Sequence, residues 1–395
     1  MTILAENIVS KMQNSSWIRR MFEAGTELKS KYGSDKVYDF SLGNPDVPAP
    51  KEVGVALNDF AKHSSESFAF GYMQNIGFPQ LRKKLAEQCS KEQGISLTEN
   101  EIILSCGAAG ALNALLRAII NPNEEMAGFS PYFVEYGSYI SNHGGTFKAI
   151  PSLADTFKPD IENMKKAISE KTRAFIINSP HNPTGIVYSE EDLKAIVNVL
   201  KEKSEQYKKP IFLISDEPYR FLAYDDINVP SVLPLYDYAV VVSSFSKNLS
   251  LPGERLGYAI LSPYMPEKSE LISALSLTNR ILGYVNPPVI GQQIMLRAMG
   301  ATIDLNVYAK RRNAMAEVLT RTGYEFLMPK GAFYFFPKAP NGDDVAFVNA
   351  LLEERILGVP GRGFGCEGYF RLAFCVDEEV IYNSESGFKK AREKF

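Results

Sequence analysis

The chain has 395 residues, of which 45% are hydrophobic and 23% are charged, and its formal net charge is -3. A chain of this length suggests two domains, or one large domain with a smaller one, and it can bury a large core without disulfide bonds. With so small a net charge, no overall basic field indicates binding to nucleic acid or to an anionic membrane surface.

The first segment, residues 1–16, has little periodicity, and we expect it to form an N-terminal arm. Apolar positions spaced among charged ones predict an amphipathic helix over Trp17–Tyr32. The run Val37–Leu42 predicts a short strand, because it is largely apolar and ends in the turn-forming sequence Gly-Asn-Pro-Asp.

Strands and helices alternate through the middle of the chain. Apolar, β-rich runs predict strands at Ile102–Ser105, Ala174–Asn178, Ile211–Asp216 and Ala239–Ser243. Helices are predicted at Gly110–Ile120 and at Ser189–Gln206. Strands that are almost wholly apolar and alternate with helices indicate an α/β fold, with a mainly parallel sheet covered on both faces.

The pattern changes after the pair Pro287-Pro288. A long helical stretch is predicted to about Thr322, and shorter elements follow at Tyr324–Leu327, Ala332–Pro337, Val345–Glu354 and Phe370–Cys375. This mixture predicts a smaller α+β domain. We expect the small domain to comprise residues 17–47 and 300–395 and the large domain to comprise 48–299, with a ligand in the crevice between them.

Cysteine and histidine spacing gives no sign of a metal or disulfide framework. The four cysteines form no Cys-x-x-Cys pair, and the three histidines are scattered. The N-terminus lacks the apolar segment of a signal peptide, and no run of about 18 apolar residues is present to span a bilayer. We therefore expect a cytoplasmic protein with reduced cysteines, no metal, and no membrane partner.

Polar segments follow the predicted strands, at the sheet edge where open α/β folds bind ligands. They are Cys-Gly-Ala-Ala at 106–109, Ser-Pro-His-Asn-Pro-Thr-Gly at 179–185, Asp-Glu-Pro-Tyr at 216–219 and Ser-Phe-Ser-Lys at 244–247. Together they supply an anion cradle, an amide, a carboxylate with a phenol, and a lysine. A pyridoxal 5'-phosphate site needs a lysine for the Schiff base and an acidic partner for the ring nitrogen.

Lys247 is the predicted attachment point. A lysine at a strand end is ordinarily a solvated charge, but this one is flanked by Ser244 and Ser246 and followed by Arg255. Hydroxyls and a guanidinium together bind a phosphate well. Imine formation needs an amine that is not permanently protonated, and a buried, cation-rich pocket lowers the pKa of a lysine as required.

Three further residues are candidates for contacts with the cofactor ring. Asp216 ends an apolar strand, where its carboxylate would either cap the strand end or hydrogen bond to a protonated pyridinium. Tyr219 could then donate to the phenolic oxygen of the ring. Asn182 lies in a strong turn sequence, which would fix its amide beside the ring.

The segments SSFSKNLSLPGERLG, NSPHNPTG and SDEPY stand in the order, and at roughly the separations, of class I/II aminotransferases of pyridoxal-phosphate fold type I. The chain resembles this family from FSLGNPD near its start to YFRLAFC near its end. The resemblance implies a large domain with a mainly parallel mixed sheet flanked by helices, plus a smaller α+β domain. It also implies transfer of an amino group from an L-amino acid, of aspartate or aromatic type, to a 2-oxo acid such as 2-oxoglutarate in two half-reactions.

The resemblance also implies roles for individual residues. Lys247 would carry the cofactor and shuttle a proton between the substrate's alpha carbon and the cofactor's C4′ carbon. Asp216 would pair with the ring nitrogen, and Asn182 and Tyr219 with the ring oxygen. The phosphate would be held by Gly107, Ala108, Ala109, Ser244, Ser246 and Arg255. Phe133 would stack on the ring, although an aromatic residue there is also consistent with simple core packing.

Other family positions fall on the substrate side and at a subunit interface. Arg371 matches the arginine that binds the substrate's alpha-carboxylate, and Gly43 would let the backbone close over the same group. Tyr72 resembles the tyrosine that reaches the phosphate of a neighbouring subunit, which implies a homodimer. The arginine that binds a side-chain carboxylate in aspartate-specific relatives would fall on Ile281, whereas Arg280 is its neighbour, one helical position and about 100° away.

Two alternatives remain open at this point. A beta-elimination lyase acting on cysteine-like substrates would use the same fold, cofactor and catalytic residues, and release of pyruvate and ammonia without a 2-oxo acid acceptor would identify it. A non-enzymatic binding protein on this fold would have lost the lysine or gained a DNA-binding module. The sequence retains Lys247 and has no such module.

Overall fold

The structure is a computed structural model that describes residues 3–13 and 17–395. Its strands are β1 Tyr38–Asp39, β2 Ile102–Cys106, β3 Glu125–Ser130, β4 Thr146–Pro151, β5 Thr172–Asn178, β6 Phe212–Asp216, β7 Ala239–Ser244, β8 Leu256–Leu261, β9 Tyr334–Phe335, β10 Ile356–Leu357, β11 Val359–Pro360 and β12 Phe370–Ala373. Its helices are α1 Glu6–Gln13, α2 Trp17–Tyr32, α3 Lys51–Lys62, α4 Pro79–Gln93, α5 Gly107–Ile119, α6 Glu135–Ser141, α7 Ile161–Ala167, α8 Glu190–Tyr207, α9 Phe245–Asn248, α10 Lys268–Ile281, α11 Val289–Ala298, α12 Leu305–Arg321, α13 Asp344–Glu353, α14 Glu378–Asn383 and α15 Glu385–Arg392.

A seven-stranded sheet with the order β2-β8-β7-β6-β5-β3-β4 forms the centre of the molecule. Strand β8 runs antiparallel to both neighbours, whereas the other adjacent pairs are parallel. The predicted α/β class with a mainly parallel mixed sheet is therefore confirmed.

Helices cover both faces of this sheet, which explains why its strands are apolar almost throughout. Leu213 and Val241 belong to the buried cluster that includes residues of α8, whereas Ile214 and Val240 belong to the cluster that includes residues of α5. Successive side chains of a strand point to opposite faces, so each face needs its own apolar set.

Two helix starts show how local sequence sets the position of the elements. Helix α8 begins after Ser189, whose side chain accepts a hydrogen bond from Asp192 N in a reciprocal capping box. Helix α5 begins at Gly107, three residues before the predicted Gly110, because the small residues already belong to the first turn. The earlier start brings the free amides of the helix to the edge of the sheet.

Two smaller sheets are formed by β1 together with strands from the C-terminal third of the chain. Strands β1 and β10 pair in parallel, and β11, β12 and β9 form an antiparallel sheet. A buried apolar cluster joins Met21, Val37 and Phe40 to residues of the range 303–391, and it also includes a few from 157–224. The division of the chain into the predicted small and large domains stays a prediction.

Three predicted elements need correction. The strand predicted at Val37–Leu42 is confined to β1, the part that pairs with β10. The long helical stretch to Thr322 is two helices, because Gly300 has a φ of 89° and Asp304 caps a new helix. The short element predicted at Tyr324–Leu327 is irregular backbone, where the Tyr324 hydroxyl donates to Phe388 O over 2.9 Å.

Of the predicted N-terminal arm, residues 1–2 and 14–16 lie outside the described residues, and α1 occupies most of the rest. Within the described ranges, none of the helices combines the length and apolar character that crossing a membrane requires. The same residues contain no cluster of three or more histidine, cysteine or acidic side chains arranged to hold a metal ion.

Candidate active site

A cavity of about 330 Å³ opens at the carboxyl ends of the central parallel strands. Its lining includes twelve residues that the sequence analysis singled out, namely Gly43, Ala108, Ala109, Phe133, Asn182, Asp216, Tyr219, Ser244, Ser246, Lys247, Arg255 and Arg371. Six further lining residues were not predicted, namely Leu112, Tyr139, Asn178, Pro218, Pro252 and Tyr334. The fold thus brings residues separated by more than 300 positions around one space.

Lys247 reaches into this cavity from α9, the short helix that follows β7. Its Nζ donates a hydrogen bond of 2.5 Å to Gly43 O. Burial lowers the pKa of the Lys247 amine to about 8, Cys375 opposes that change, and the nearby Arg371 and Arg255 add to it. The side chains that act on this amine, Cys375, Arg371 and Arg255, include no carboxylate. A large neutral fraction is therefore available near pH 8.

Asp216 ends β6 and is only 6% exposed. Tyr136 donates a hydrogen bond of 2.7 Å to its Oδ2, whereas Oδ1 is buried and has no hydrogen-bond partner in the described part of the chain. Burial raises the pKa of the Asp216 carboxyl to about 7, against the effect of the Tyr136 bond. An unpaired buried carboxylate oxygen is costly, so this atom is placed to receive a cationic donor.

The start of α5 packs closely against the start of β8, the strand that follows Arg255, and we call this contact region the corner. Gly107 has a φ of 74°, and a Cβ at that position would lie 2.8 Å from Nη2 of Arg255. A Cβ on Gly257 would lie 2.3 Å from the carbonyl carbon of Gly107. The left-handed φ of Gly107 and the backbone contact at Gly257 favour glycine at both positions, and the amides at a helix start attract anions. The corner therefore suits a phosphate.

Arg371 projects from β12 and is only 2% exposed. Its Nη1 donates to Asn182 Oδ1 over 3.1 Å and its Nη2 to Ser41 O over 2.6 Å. Its Nε has no hydrogen-bond partner among the described residues. Burial lowers the pKa of the Arg371 guanidinium. A buried guanidinium without a carboxylate is costly unless a bound anion completes the site.

Aromatic side chains complete the wall of the cavity. Phe133 packs edge-on against Tyr136, with ring centroids 5.5 Å apart. The Tyr219 and Tyr334 hydroxyl oxygens are 2.7 Å apart, and burial raises the pKa of Tyr219 well above its usual value. The guanidinium of Arg371 lies 4.8 Å from the Tyr334 ring.

Two predicted site residues lie away from the cavity of this chain. Tyr72 is 92% exposed, and Arg280 is also exposed at the end of α10. Their segments are neighbours, because Asn75 Nδ2 donates to Val285 O over 2.5 Å and Asn279 Nδ2 donates to Asn75 O over 3.3 Å. The two exposed residues therefore stand on neighbouring segments of the chain.

Some site residues escaped the sequence analysis. Asn178 is the last residue of β5, and its Nδ2 donates to Asp216 O over 2.7 Å, so the strand-end rule could have found it. Tyr136 lies within α6 and Tyr334 within an aromatic run. No local pattern distinguishes either of them from an ordinary core residue.

Comparisons with known proteins agree with this geometry. The family described as aminotransferase class I and II matches residues 35–383. An aspartate/prephenate aminotransferase of Thermus thermophilus is 31% identical over 368 residues, covering 90% of this chain and 89% of its own length. An asparagine--oxo-acid transaminase of Streptococcus mutans is 30% identical over an alignment of 411 positions, which covers 100% of this chain and 100% of that one.

Solved structures show the same relationship. An amino transferase from Eubacterium rectale has a TM-score of 0.95 and 37% identity, covering 100% of both chains. Aspartate aminotransferase from Thermus thermophilus with maleate has a TM-score of 0.86 and 28% identity, covering 99% of this chain and 100% of that one. The predicted fold type I architecture and transaminase activity are confirmed, and the lyase alternative is not favoured. The chain therefore belongs to the aminotransferase class I and II family and is an aminotransferase.

Proposed function

We propose that this aminotransferase holds pyridoxal 5'-phosphate covalently through Lys247 and acts as a homodimer on an L-amino acid and a 2-oxo acid. The observation that carries the proposal is the set of unsatisfied groups around one amine. Asp216 Oδ1 and Arg371 Nε are both buried without hydrogen-bond partners in the described residues, and both residues line the cavity that Lys247 enters.

The residues of the cavity fit the cofactor. When bound, pyridoxal phosphate supplies a ring that accepts the electron pair released at the substrate's alpha carbon. Asp216 would hold a proton on the ring nitrogen, Asn182 and Tyr219 would hydrogen bond to the ring oxygen, and Phe133 would pack on the ring. The phosphate would be held by the α5 amides of Gly107, Ala108 and Ala109 together with Ser244, Ser246 and Arg255.

Lys247 would serve as the general base. Its amine has a pKa of about 8 in the structure, close to the pH at which a base can both accept and release a proton. The carbonyl of Gly43 orients the amine through the hydrogen bond described above. Once substrate occupies the site, the same amine would take the proton from the alpha carbon.

Arg371 would bind the substrate's alpha-carboxylate. A guanidinium meets a carboxylate with two parallel hydrogen bonds, which fixes the direction of the alpha C–H bond toward the base. Asn182 Oδ1 and Ser41 O each accept one hydrogen bond from the guanidinium, which leaves the Nε proton and one further proton on each terminal nitrogen for the ligand. Gly43 would let the backbone approach the same carboxylate without a side chain in the way.

The homodimer rests on the neighbouring segments that carry Tyr72 and Arg280. Tyr72 is 92% exposed and Phe68 is 93% exposed, which is unusual for large aromatic side chains unless another protein covers them. In a homodimer, Tyr72 of the partner subunit would reach the phosphate, and Arg280 of the partner subunit would reach the substrate side chain. We propose donors of aspartate or aromatic type.

The direct test is Lys247→Ala, compared with Lys201→Ala on the exposed face of α8. Loss of the base should lower transamination with 2-oxoglutarate by about 10²–10⁴-fold or more, and the visible absorbance of covalently held cofactor should disappear. Lys201→Ala should match the unchanged protein. Retained turnover in Lys247→Ala would refute the assignment. Pyruvate and ammonia formed without a 2-oxo acid acceptor would instead favour the lyase.

A further inference from the structure

Tyr334 is a cavity residue to which the proposed function gives no role. It lies in β9, is 2% exposed, and its hydroxyl oxygen is 2.7 Å from that of Tyr219. We propose that Tyr334 is a positioning residue, whose hydroxyl donates to Tyr219 and thereby directs the Tyr219 proton toward the ring oxygen of the cofactor. This inference rests on the proposed contact between Tyr219 and that oxygen.

The direction of the hydrogen bond follows from counting protons. Each phenol has one proton to donate, and two hydroxyls joined by one hydrogen bond use only one of their two protons on each other. In the described part of the chain, neither hydroxyl has another hydrogen-bond partner. If Tyr219 points its proton at the ring oxygen, Tyr334 must be the donor within the pair.

The surroundings of Tyr334 hold its hydroxyl in place. Its ring is 4.8 Å from the guanidinium of Arg371 and meets the Tyr219 ring edge-on, with centroids 5.6 Å apart. A Cβ on Gly43 would lie only 2.0 Å from the Tyr334 hydroxyl oxygen. The backbone at Gly43 therefore crowds the Tyr334 hydroxyl and limits its movement away from Tyr219.

A fixed donor behind Tyr219 has a chemical consequence. A hydroxyl that accepts one hydrogen bond becomes a stronger donor, by roughly 10–30% per bond. When the cofactor is bound, Tyr219 as a stronger donor would stabilise negative charge on the ring oxygen. That charge would then attract less strongly the proton on Lys247 Nζ, the nitrogen that bonds to the cofactor. Tyr334 should therefore lower the pH at which this nitrogen loses its proton.

The test is the pH dependence of the visible absorbance of the cofactor-loaded enzyme, which does not require turnover. In Tyr219→Phe the absorbance midpoint should rise by about 1 to 2 pH units, the equivalent of one hydrogen bond to a charged atom. In Tyr334→Phe it should rise by about 0.3 pH unit, the cooperative fraction of that effect. The double variant should match Tyr219→Phe alone, because Tyr334 acts through Tyr219.

Tyr308→Phe is a matched control. Tyr308 lies in α12 with its ring 5.7 Å from that of Phe333, and its buried hydroxyl has no hydrogen-bond partner among the described residues. The substitution removes a buried phenol oxygen from the same aromatic cluster without breaking a hydrogen bond. Its absorbance midpoint should equal that of the unchanged enzyme.

The outcomes separate this inference from the proposed function. An unchanged midpoint in Tyr334→Phe, beside a raised one in Tyr219→Phe, overturns the positioning role and leaves the proposed function standing. Additive rises in the double variant, or a rise in Tyr308→Phe as large as in Tyr334→Phe, also overturn it. An unchanged midpoint in Tyr219→Phe refutes the proposed role of Tyr219 and this inference together.

Discussion

The two halves of the cavity are built in different ways. Asp216, the last residue of β6, and Lys247, just after β7, are proposed to hold the cofactor, and they lie where these adjacent parallel strands end at one edge of one sheet. Arg371 and Gly43, proposed to bind the substrate, come from β12 and from the loop after β1, near opposite ends of the chain. The comparison indicates that cofactor attachment depends on a single buried sheet edge, whereas substrate binding depends on how distant segments pack against that edge.

The halves meet at two hydrogen bonds. Lys247 donates to Gly43 O, and Arg371 donates to Asn182 Oδ1. Each bond joins a proposed cofactor group to a proposed substrate group. The residues proposed to bind each ligand are nevertheless different, so a substitution on one half should change the chemistry of that half and leave the ligand affinity of the other largely intact.

Among the substitutions that keep Lys247, the largest effect is expected from Asp216→Asn, which changes the cofactor half alone. A neutral amide cannot favour a proton on the ring nitrogen, so kcat should fall by about 10²–10³-fold, while cofactor and amino donor still bind. Steady-state kinetics with a cofactor-binding titration measure both. Asp226→Asn, at an exposed position, is the control. Normal turnover in Asp216→Asn would show that another group keeps the proton on the ring nitrogen.

The same substitution should stabilise the cofactor-free protein. Folding raises the pKa of the Asp216 carboxyl from 3.8 to about 7. Between these two pH values the folded state binds a proton that the unfolded state has lost, so the free energy of unfolding falls as pH rises. At pH 8, Asp216→Asn should unfold with a free energy about 2 to 4 kcal/mol higher. Below pH 4 the difference should vanish. Urea unfolding at pH 4, 6 and 8 measures it, and a difference independent of pH would contradict the cause.

Arg371→Lys should break the substrate half. A lysine keeps the charge but loses the two parallel hydrogen bonds, so kcat/KM for the amino donor should fall by about 30-fold, mainly through KM. The visible absorbance and cofactor affinity should not change. The control is Arg362→Lys, an arginine whose side chain is paired with Asp344. If cofactor affinity fell as much as kcat/KM, the result would show that the two halves do not act separately.

A smaller and more selective effect is expected from Arg280→Ala. If Arg280 of the partner subunit binds a side-chain carboxylate, kcat/KM for L-aspartate should fall by about tenfold, and that for L-phenylalanine should stay constant. Arg280→Lys should retain most of the aspartate activity. Parallel losses with both donors would show that Arg280 supports the subunit interface and not the substrate side chain.

The cofactor half was largely predictable from sequence, and the physical reason is local. Asp216 and Lys247 follow apolar strands, and a parallel sheet brings all its strand ends to one edge. Tyr136 was not predictable, because its bond to Asp216 joins residues 80 positions apart through the packing of α6. Tyr334 escaped for the same reason, since an aromatic run has the same appearance in a core and in a site.

The fold was also predictable where the sequence signal is local and unpredictable where long-range packing decides. Helix α2 has the predicted bounds, because its amphipathic pattern is local. Strands β3 and β8 were not predicted, because the glycines within them, Gly128 and Gly257, interrupt the β-rich pattern. In the structure Gly257 allows the strand to touch Gly107, so the residue that weakened the strand signal is the one that the proposed phosphate corner requires.

Covalent attachment at Lys247 is tested most directly by chemical fixation. Borohydride reduction converts an imine into a stable amine, so the enzyme loaded with pyridoxal 5'-phosphate should, after reduction and digestion, carry the cofactor's mass on the peptide containing Lys247. The unreduced enzyme and the reduced Lys247→Ala variant should carry none there. A modified peptide containing a different lysine, or no modified peptide at all, would contradict the assignment.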